Sequence, residues 1–204
     1  MAYRRKDHFY QRAKAAGYRS RAAYKLIELA ERQRLIGRGD HVVDLGAWPG
    51  GWLQVAAELV GPQGRVVGVD LVEIEPLPNP VITCVRGDAS DAATQAEIRR
   101  QSGGRVDVVL SDMAPKLSGV RATDEARAAA LAAAAIDIAE ALLRPGGRLL
   151  LKLFSGGESE ALVNRLRQSF AKVKVTRPQA TRAGSSELYA IALGYRRTTG
   201  ARPA

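Results

Sequence analysis

The fold is decided by the stretch Val42-Val43-Asp44-Leu45-Gly46-Ala47-Trp48-Pro49-Gly50-Gly51-Trp52. An apolar run rich in β-branched residues that stops in a glycine-rich turn is typical of a buried strand of a parallel sheet followed by a helix. The helix is predicted from Gly51 to about Leu59, with Gly61-Pro62 at its end. These three features indicate a nucleotide-type pocket, because glycine lets a ligand approach the backbone and the free N–H groups of the helix favour electron-rich partners.

The glycine spacing and the next strand narrow the choice of ligand. The pattern is Gly-x-x-x-Gly-Gly, whereas a pyrophosphate is held by Gly-x-Gly-x-x-Gly, so a ligand without a pyrophosphate is favoured. The run Arg65-Val66-Val67-Gly68-Val69-Asp70-Leu71 places Asp70 at the carboxyl edge of a strand, where an acid can accept both hydroxyls of a ribose. NAD and S-adenosylmethionine both carry adenosine, so Asp70 alone does not separate them. The simpler alternative is that Asp44 and Asp70 are only turn and strand-end acids.

Composition indicates one domain and excludes several classes of protein. With 204 residues, 46% of them hydrophobic, the chain is long enough for one well-packed domain and short for two. Its one cysteine, Cys84, is predicted to be a small buried core residue, so a disulfide framework and a thiolate metal site are excluded. No apolar run reaches membrane-spanning length and the first residues lack the hydrophobic core of a signal peptide. We therefore expect a cytoplasmic protein that does not enter a membrane.

Positive charge is concentrated at the start of the chain. The net charge is +10, and residues 1–40 hold eleven Lys and Arg side chains against four Asp and Glu. This asymmetry indicates a polyanionic partner, above all nucleic acid, although a solvated basic tail is the alternative. Aromatic rings alternate with the cations in residues 1–20, which suits stacking on unpaired bases. We predict a basic flexible arm over residues 1–18, one domain over 19–197 and a disordered tail over 198–204.

The rest of the chain alternates strand-like and helix-like segments. Five strands separated mostly by helices are followed by two more strands joined by a loop, which predicts a doubly wound α/β sheet that ends in a hairpin. Ser20 is predicted to be the N-cap of a helix that runs to about Leu35. Asp88 and Asp112 follow the third and fourth strands, at the sheet edge where such folds bind ligands. Asp88 could accept a hydrogen bond from an adenine amino group, and the alternative is that it is a plain turn or N-cap acid.

One lysine stands where an apolar side chain is expected. Lys152 interrupts the apolar strand Arg148-Leu149-Leu150-Leu151-Lys152-Leu153-Phe154. A buried lysine has a desolvation cost, so it needs a carboxylate partner or a function. Lys25 lies close to the apolar side of the helix that follows Ser20, and by itself it would be an ordinary lysine with a buried stem.

Taken together, these motifs closely resemble the FtsJ/RlmE family of S-adenosylmethionine-dependent ribosomal RNA ribose 2′-O-methyltransferases, over roughly residues 17–195. The resemblance is carried by Ser20-Arg21-Ala22-Ala23-Tyr24-Lys25-Leu26, Val43-Asp44-Leu45-Gly46-Ala47-Trp48-Pro49-Gly50-Gly51-Trp52, Ser111-Asp112-Met113-Ala114-Pro115, the Lys152 strand, and Ser186-Glu187-Leu188-Tyr189. In the family's order, it implies a catalytic tetrad of Lys25, Asp112, Lys152 and Glu187. A single glycine turn is weak evidence, but several motifs in the same order are specific.

The resemblance also implies a fold, a cofactor and a substrate. The fold is a Rossmann-like methyltransferase fold, with a seven-stranded, mostly parallel sheet, an antiparallel last strand and helices on both faces. The cofactor is S-adenosylmethionine, with contacts at Gly46, Gly50, Trp52, Asp70, Asp88 and Asp112. The usual family substrate is a uridine in the A-loop of large-subunit (23S) rRNA, on the 50S subunit or a late precursor. We expect a monomer without an obligatory protein partner.

One residue of the glycine loop departs from the family. Trp48 stands where the family commonly has alanine. A ring at this position either narrows the cofactor pocket or packs outside it, and Trp48 is therefore left out of the predicted site.

The implied chemistry suits the tetrad. A ribose hydroxyl is a poor nucleophile and a sulfonium methyl is already activated, so in-line transfer needs accurate positioning and a base or orienting acceptor, and we expect no metal. Lys152 is the candidate base. Burial and Lys25 lower the pKa of Lys152, whereas Asp112 and Glu187 raise it, and the sequence leaves the net direction open. As an ammonium, Lys152 would instead orient the hydroxyl and stabilise developing negative charge.

Three other functions are considered. A nicotinamide-dependent oxidoreductase would share the fold and Asp70, but it should show the pyrophosphate-type glycine loop. A non-catalytic RNA-binding protein for ribosome assembly would have no need of a complete tetrad. The same methyl transfer to another RNA, such as a tRNA or an mRNA cap, is disfavoured only by the resemblance.

Overall fold

Strands and helices alternate along most of the chain. The structure, a computed structural model, describes residues 8–116, 118–182 and 184–196. Within these ranges the helices are α1 (His8–Ala15), α2 (Ala23–Gln33), α3 (Gly51–Val60), α4 (Ala92–Ser102), α5 (Arg121–Leu142) and α6 (Gly157–Ser169). The strands are β1 (His41–Leu45), β2 (Arg65–Asp70), β3 (Ile82–Arg86), β4 (Val106–Ser111), β5 (Leu143–Phe154), β6 (Phe170–Thr176) and β7 (Glu187–Tyr195).

The strands form one sheet in the order β3-β2-β1-β4-β5-β7-β6. β1 to β5 pair in parallel, and β7 runs antiparallel to both β5 and β6. The predicted fold, a mostly parallel seven-stranded sheet with an antiparallel last strand, is confirmed. The chain moves from β1 outward through β2 to β3, and then returns to place β4 on the other side of β1. The gap between β1 and β4 is the switch point where sheets of this kind hold ligands.

Alternating side chains divide the core into two layers. One face packs against α4, α5 and α6 through side chains that include Val43, Leu45, Val109, Leu149 and Leu151. The other face packs against α2 and α3 through Val42, Val108, Leu110, Leu150 and Ile191. This period-2 pattern follows from the pleat of a strand, and it is why the apolar runs in the sequence identify the central strands. Lys152 and Tyr189 continue the α2 and α3 side of β5 and β7.

Two local predictions are wrong. Ser20 does not cap α2, which begins at Ala23 after Ala22 and has no side-chain cap. Instead, the Ser20 hydroxyl packs so closely on Gly51 that a Cβ on that glycine would collide with it. Cys84 is exposed rather than buried, because β3 is the edge strand of the sheet and has a neighbour on one side only.

The described part of the predicted basic arm packs on the domain. Residues 8–15 form α1, in which Ala13 is buried. The Phe9 ring lies 5.8 Å from the ring of Tyr24 in α2, and the Arg12 guanidinium lies 4.6 Å from the same Tyr24 ring. Residues 1–7 of the arm and the tail predicted over 198–204 lie outside the described residues. In the described ranges, every helix is too short or too polar to cross a membrane.

Candidate active site

The four residues of the predicted tetrad come from four separate elements. Lys25 lies on α2, Asp112 directly follows β4, Lys152 lies near the end of β5, and Glu187 opens β7. The antiparallel pairing of β5 with β7 places Lys152 opposite Tyr189 and Phe154 opposite Glu187. All four tetrad side chains therefore meet at one end of the sheet, on the face covered by α2.

The tetrad is held together by ion pairs. Lys25 Nζ lies 3.0 Å from Glu187 Oε2, and Lys152 Nζ lies 3.1 Å from Glu187 Oε1. Lys152 Nζ also lies 2.9 Å from Asp112 Oδ1 and 3.2 Å from the Asp112 carbonyl oxygen. The two lysine side chains are more than nine-tenths buried. The charges of two lysines and two carboxylates thus cancel in this recess. Each buried ammonium is paired with a carboxylate, which offsets the free-energy cost of its desolvation.

A fifth side chain, Tyr189, joins the two ends of the tetrad. Its hydroxyl donates to Asp112 Oδ1 at 2.6 Å and accepts from Lys25 Nζ at 3.2 Å. The five polar groups therefore form a closed ring of contacts, which we call the polar ring: Lys25, Glu187, Lys152, Asp112 and Tyr189. Tyr189 is not among the site residues predicted from the sequence. The sequence spacing could have indicated this residue, because Tyr189 follows Glu187 by two positions and so projects from the same face of β7.

The environment of Lys152 decides its charge. Burial by itself lowers the pKa of this ammonium group, but the charges and hydrogen bonds of Asp112 and Glu187 outweigh it. The net result raises the pKa of Lys152 above its ordinary value. Lys152 is consequently protonated at neutral pH, which answers the question that the sequence left open. An ammonium cannot take a proton, so the geometry favours the orienting role over the role of base.

The pKa values of Glu187 and Tyr189 are shifted as well. Burial raises the pKa of Glu187, but Lys152 and Lys25 outweigh this effect and hold the pKa below its ordinary value. Burial, with the nearby charge of Asp112, raises the pKa of Tyr189. At neutral pH, Glu187 is an anion and Tyr189 keeps its proton.

We expect the ion pairs of Glu187 to make stability pH-dependent. A carboxylate with a lowered pKa contributes stability that is fully present above its unfolded value of about 4.5 and is lost as the pH falls through the folded value. Glu187→Gln lacks this contribution. The difference in unfolding free energy between the wild type and this variant should therefore be largest at neutral pH and shrink below about pH 4.5.

Urea unfolding between about pH 7 and pH 3 measures this difference. Glu31 on α2 is exposed, so Glu31→Gln is the matched control, and its offset from the wild type should stay nearly constant with pH. An equally constant offset for Glu187→Gln would show that its ion pairs do not stabilise the fold.

Next to the polar ring, a cleft of about 600 Å³ opens at the carboxyl ends of β1, β2 and β4. Four of the predicted cofactor residues line it: Gly46, Asp70, Asp88 and Asp112. The Asp70 carboxylate is oriented by the backbone N–H groups of Trp48 and Val72, which donate to its two oxygens, each at 2.9 Å. Asp112 belongs to both the cleft and the polar ring, so a ligand in the cleft lies beside the tetrad.

Two predicted cofactor residues lie away from the walls of the cleft. Trp52 is buried, donates from its indole N–H to the Ala22 carbonyl at 2.8 Å, and packs on Tyr189 with ring centroids 6.1 Å apart. Gly50 directly precedes α3 as its N-cap, with a φ of 108°. Their contacts with a cofactor stay predictions. Trp48, which was left out of the predicted site, does line the cleft and is 57% exposed.

A buried carboxylate, Asp44, lies on β1, two residues before Gly46 of the cleft. Its side chain on β1 is fully buried, and neither oxygen has a hydrogen-bond partner among the described residues. Burial first, and then the charges of Asp112 and Asp70, raise the pKa of Asp44 well above its ordinary value. The anionic form of Asp44 would be favoured by a cation nearby.

S-adenosylmethionine fits these surroundings. Its ammonium and sulfonium groups suit a region with the acids Asp44 and Asp112, and its adenosine suits the acids Asp70 and Asp88. The backbone of Gly46 lies close to Met113 in the wall of the cleft, because a Cβ at position 46 would lie 2.7 Å from Met113 Cγ.

The sequence comparisons agree with this geometry. Residues 18–195 match the FtsJ-like methyltransferase family. A ribosomal RNA large subunit methyltransferase E from Methanothermobacter thermautotrophicus is 44% identical over 196 residues, which cover 96% of this chain and 93% of that relative. The enzyme of the same name from Alkalilimnicola ehrlichii is 49% identical over 190 residues, with 93% and 90% covered.

Solved structures show the same fold. A ribosomal RNA methyltransferase from Plasmodium falciparum superposes with a TM-score of 0.77 at 25% identity, over 87% of this chain and 98% of that chain. The MycE methyltransferase of mycinamycin biosynthesis, solved in complex with Mg and SAH, superposes with a TM-score of 0.59 at 16% identity. That match covers 98% of this chain and 52% of MycE, and it concerns the fold alone.

Proposed function

Because the chain belongs to the FtsJ-like methyltransferase family, it is an S-adenosylmethionine-dependent RNA methyltransferase, and we propose that it methylates a ribose 2′-hydroxyl of large-subunit rRNA. The target we propose is a uridine, modified on the 50S subunit or a late precursor. The relatives described above are named as rRNA large subunit methyltransferases, which supports this class of substrate. We accordingly place its action in the cytoplasm, where ribosomal subunits mature.

The single observation that carries the proposal is the position of the polar ring beside the cleft. Asp112 is shared by both, so a methyl donor in the cleft and an acceptor at the ring would meet at this carboxylate. Two ammonium groups and two carboxylates supply donors and acceptors together. A hydroxyl, which both donates and accepts, matches such a set.

The residues of the ring have separate roles in this reaction. The cofactor supplies a methyl group that is already activated by its sulfonium. Lys152, as an ammonium, exchanges its contact with the Asp112 carbonyl oxygen, the longest of its three at 3.2 Å, for a hydrogen bond to the ribose oxygen. One lone pair of that oxygen is then directed at the methyl carbon, and developing negative charge is stabilised. Lys25 holds Glu187 in place and adds positive charge to the recess.

The hydroxyl proton is accepted by a carboxylate in this scheme. In the contacts of the described residues, Asp112 Oδ1 accepts from both Lys152 and Tyr189, which leaves Oδ2 for the substrate hydroxyl. As the new C–O bond forms and the C–S bond breaks, the hydroxyl becomes acidic and its proton passes to Oδ2. Solvent then removes the proton after the product leaves.

The basic segments near the recess provide sites for phosphates. Arg12 and Lys14 lie on α1, and Arg21 donates to the Ala180 carbonyl in the loop that precedes β7. This contact links the start of α2 to a second basic segment, which contains Arg177. We propose that RNA crosses these two segments to reach the recess.

Transfer of labelled methyl from S-adenosylmethionine to ribosomal subunits tests the proposal. The subunits come from a strain that lacks this protein, and nuclease digestion then locates the label. We expect it on a ribose of the large-subunit RNA. Label on tRNA instead would support the proposed methyl transfer and contradict the proposed rRNA substrate. Tight binding of RNA without any transfer would favour a non-catalytic RNA-binding protein.

Trp48 provides a direct readout of cofactor binding. Of the two tryptophans of the chain, Trp48 lies exposed at the cleft and Trp52 is buried. Addition of S-adenosylhomocysteine should therefore change tryptophan fluorescence by covering Trp48, and Trp48→Phe should abolish the change while binding persists in calorimetry. A fluorescence change that survives in Trp48→Phe would assign the signal to Trp52 and place the ligand closer to α3.

A further inference from the structure

The Tyr189 hydroxyl accepts one of its two hydrogen bonds and donates the other, and these roles are fixed. A lysine ammonium has no acceptor, so Lys25 donates and the Tyr189 oxygen accepts. The one hydroxyl proton is then directed to Asp112 Oδ1, at 2.6 Å. Burial of Tyr189 raises the pKa of its hydroxyl, so this proton is retained at any pH at which the protein works. The ring therefore has one arrangement of donors and acceptors.

Asp112 is the member of the ring that most needs support. It directly follows the last residue of β4, and residues 112–116 have no regular secondary structure. Its backbone therefore has no strand partner to fix it. Tyr189, in contrast, is paired on both sides, with Lys152 on β5 and Thr176 on β6. It is fully buried and packs on Trp52 near the start of α3.

We infer that Tyr189 is a positioning residue for methyl transfer. Its hydroxyl holds Oδ1 of Asp112 toward Lys152, and so presents Oδ2 to the acceptor hydroxyl beside the cleft. Tyr189 acts through Asp112 and Lys25 and touches neither the substrate nor the cofactor. This inference rests on the proposed function, because it assigns Tyr189 a part in the same reaction.

Tyr189→Phe tests the inference, because phenylalanine keeps the packing on Trp52 and removes only the hydroxyl. We expect kcat to fall about tenfold, because a hydrogen bond to a charged group has been lost near the reacting atoms. KM for S-adenosylmethionine and for the RNA should each change less than about twofold. In an Asp112→Ala background, Tyr189→Phe should lower the residual kcat by less than about twofold, since the acceptor of the Tyr189 hydroxyl is already absent.

Tyr195→Phe is the matched control. Tyr195 lies on the same strand, is also buried, and donates to the Glu140 carbonyl at 3.0 Å, outside the polar ring. Its loss should lower the unfolding midpoint by an amount comparable to Tyr189→Phe and leave kcat unchanged. All rates are measured well below the unfolding midpoints of both variants.

Three results decide the inference. A tenfold loss of kcat that disappears in the Asp112→Ala background supports it. Wild-type kcat in Tyr189→Phe overturns it. An equal loss with and without Asp112 also overturns it, because the effect then reflects packing alone. Absence of transfer by the wild type would instead contradict the proposed function, so the two failures are distinguishable.

Discussion

Lys152→Ala is expected to lower the turnover number by roughly 10²–10⁴-fold while cofactor binding persists. Lys152 is the ammonium that contacts both carboxylates of the polar ring, so its loss removes the group that orients the acceptor oxygen. It is absent from the side chains that line the cleft in the described residues. We therefore expect Lys152→Ala to lower turnover and to leave cofactor affinity largely unchanged.

Two further variants make this result interpretable. Lys152→Met keeps much of the side-chain volume without the charge, and it should be as inactive as Lys152→Ala. Lys172→Ala removes an exposed lysine from β6 and should leave turnover within about twofold of the wild type. Calorimetry with S-adenosylhomocysteine reports cofactor binding, and circular dichroism reports folding. If Lys152→Ala lost activity only in proportion to lost cofactor binding, Lys152 would serve to shape the cleft.

Gly46→Ala is expected to weaken cofactor binding by at least about tenfold, the opposite pattern to Lys152→Ala. Gly46 has a φ of 78°, which an L side chain adopts only with strain. A Cβ there would lie 2.7 Å from Met113 Cγ and 3.3 Å from the Met113 backbone. To avoid this clash Met113 must move, and because Met113 lines the cleft, its movement changes the shape of the cleft. Titration with S-adenosylhomocysteine measures the loss.

Gly39→Ala isolates the steric part of this effect. Gly39 also has a φ of 78°, but a Cβ there meets nothing within 4 Å. Both variants should therefore lose a similar amount of stability from backbone strain, of about 1–2 kcal/mol. Gly46→Ala alone should lose cofactor affinity. Equal affinity in both variants would show that the close approach of Gly46 to Met113 does not shape the binding site.

The sheet and most of the tetrad could be predicted because their signals are local. A strand shows its apolar face through alternation, and a glycine turn marks where β1 ends, whatever the rest of the chain does. Lys152 was identified because an ammonium in an apolar strand needs a partner. Glu187, Lys25 and Asp112 were predicted from motifs that occur in the order typical of the family. That prediction did not require the distances between the side chains.

Features that depend on neighbours in space were missed. Ser20 looks like a helix cap, but its hydroxyl packs against Gly51, which lies thirty-one positions later in the chain. Cys84 lies in an apolar run, but its exposure is decided by the place of β3 at the edge of the sheet. Trp48 was left out of the predicted site because its ring could either narrow the pocket or pack outside it, and only the folded loop shows that Trp48 borders the cleft.

The sequence by itself determined the order of the strands and of helices α2 to α6, the glycine turn, and the residue types of the tetrad, because these follow from short-range periodicity and from motifs. Tertiary structure alone decided that Tyr189 closes the polar ring, since Lys25 and Tyr189 are separated by 164 positions. It also decided the charge of Lys152. The pKa of that ammonium is the balance of burial against two carboxylates, and each contribution depends on distances that exist only in the folded chain.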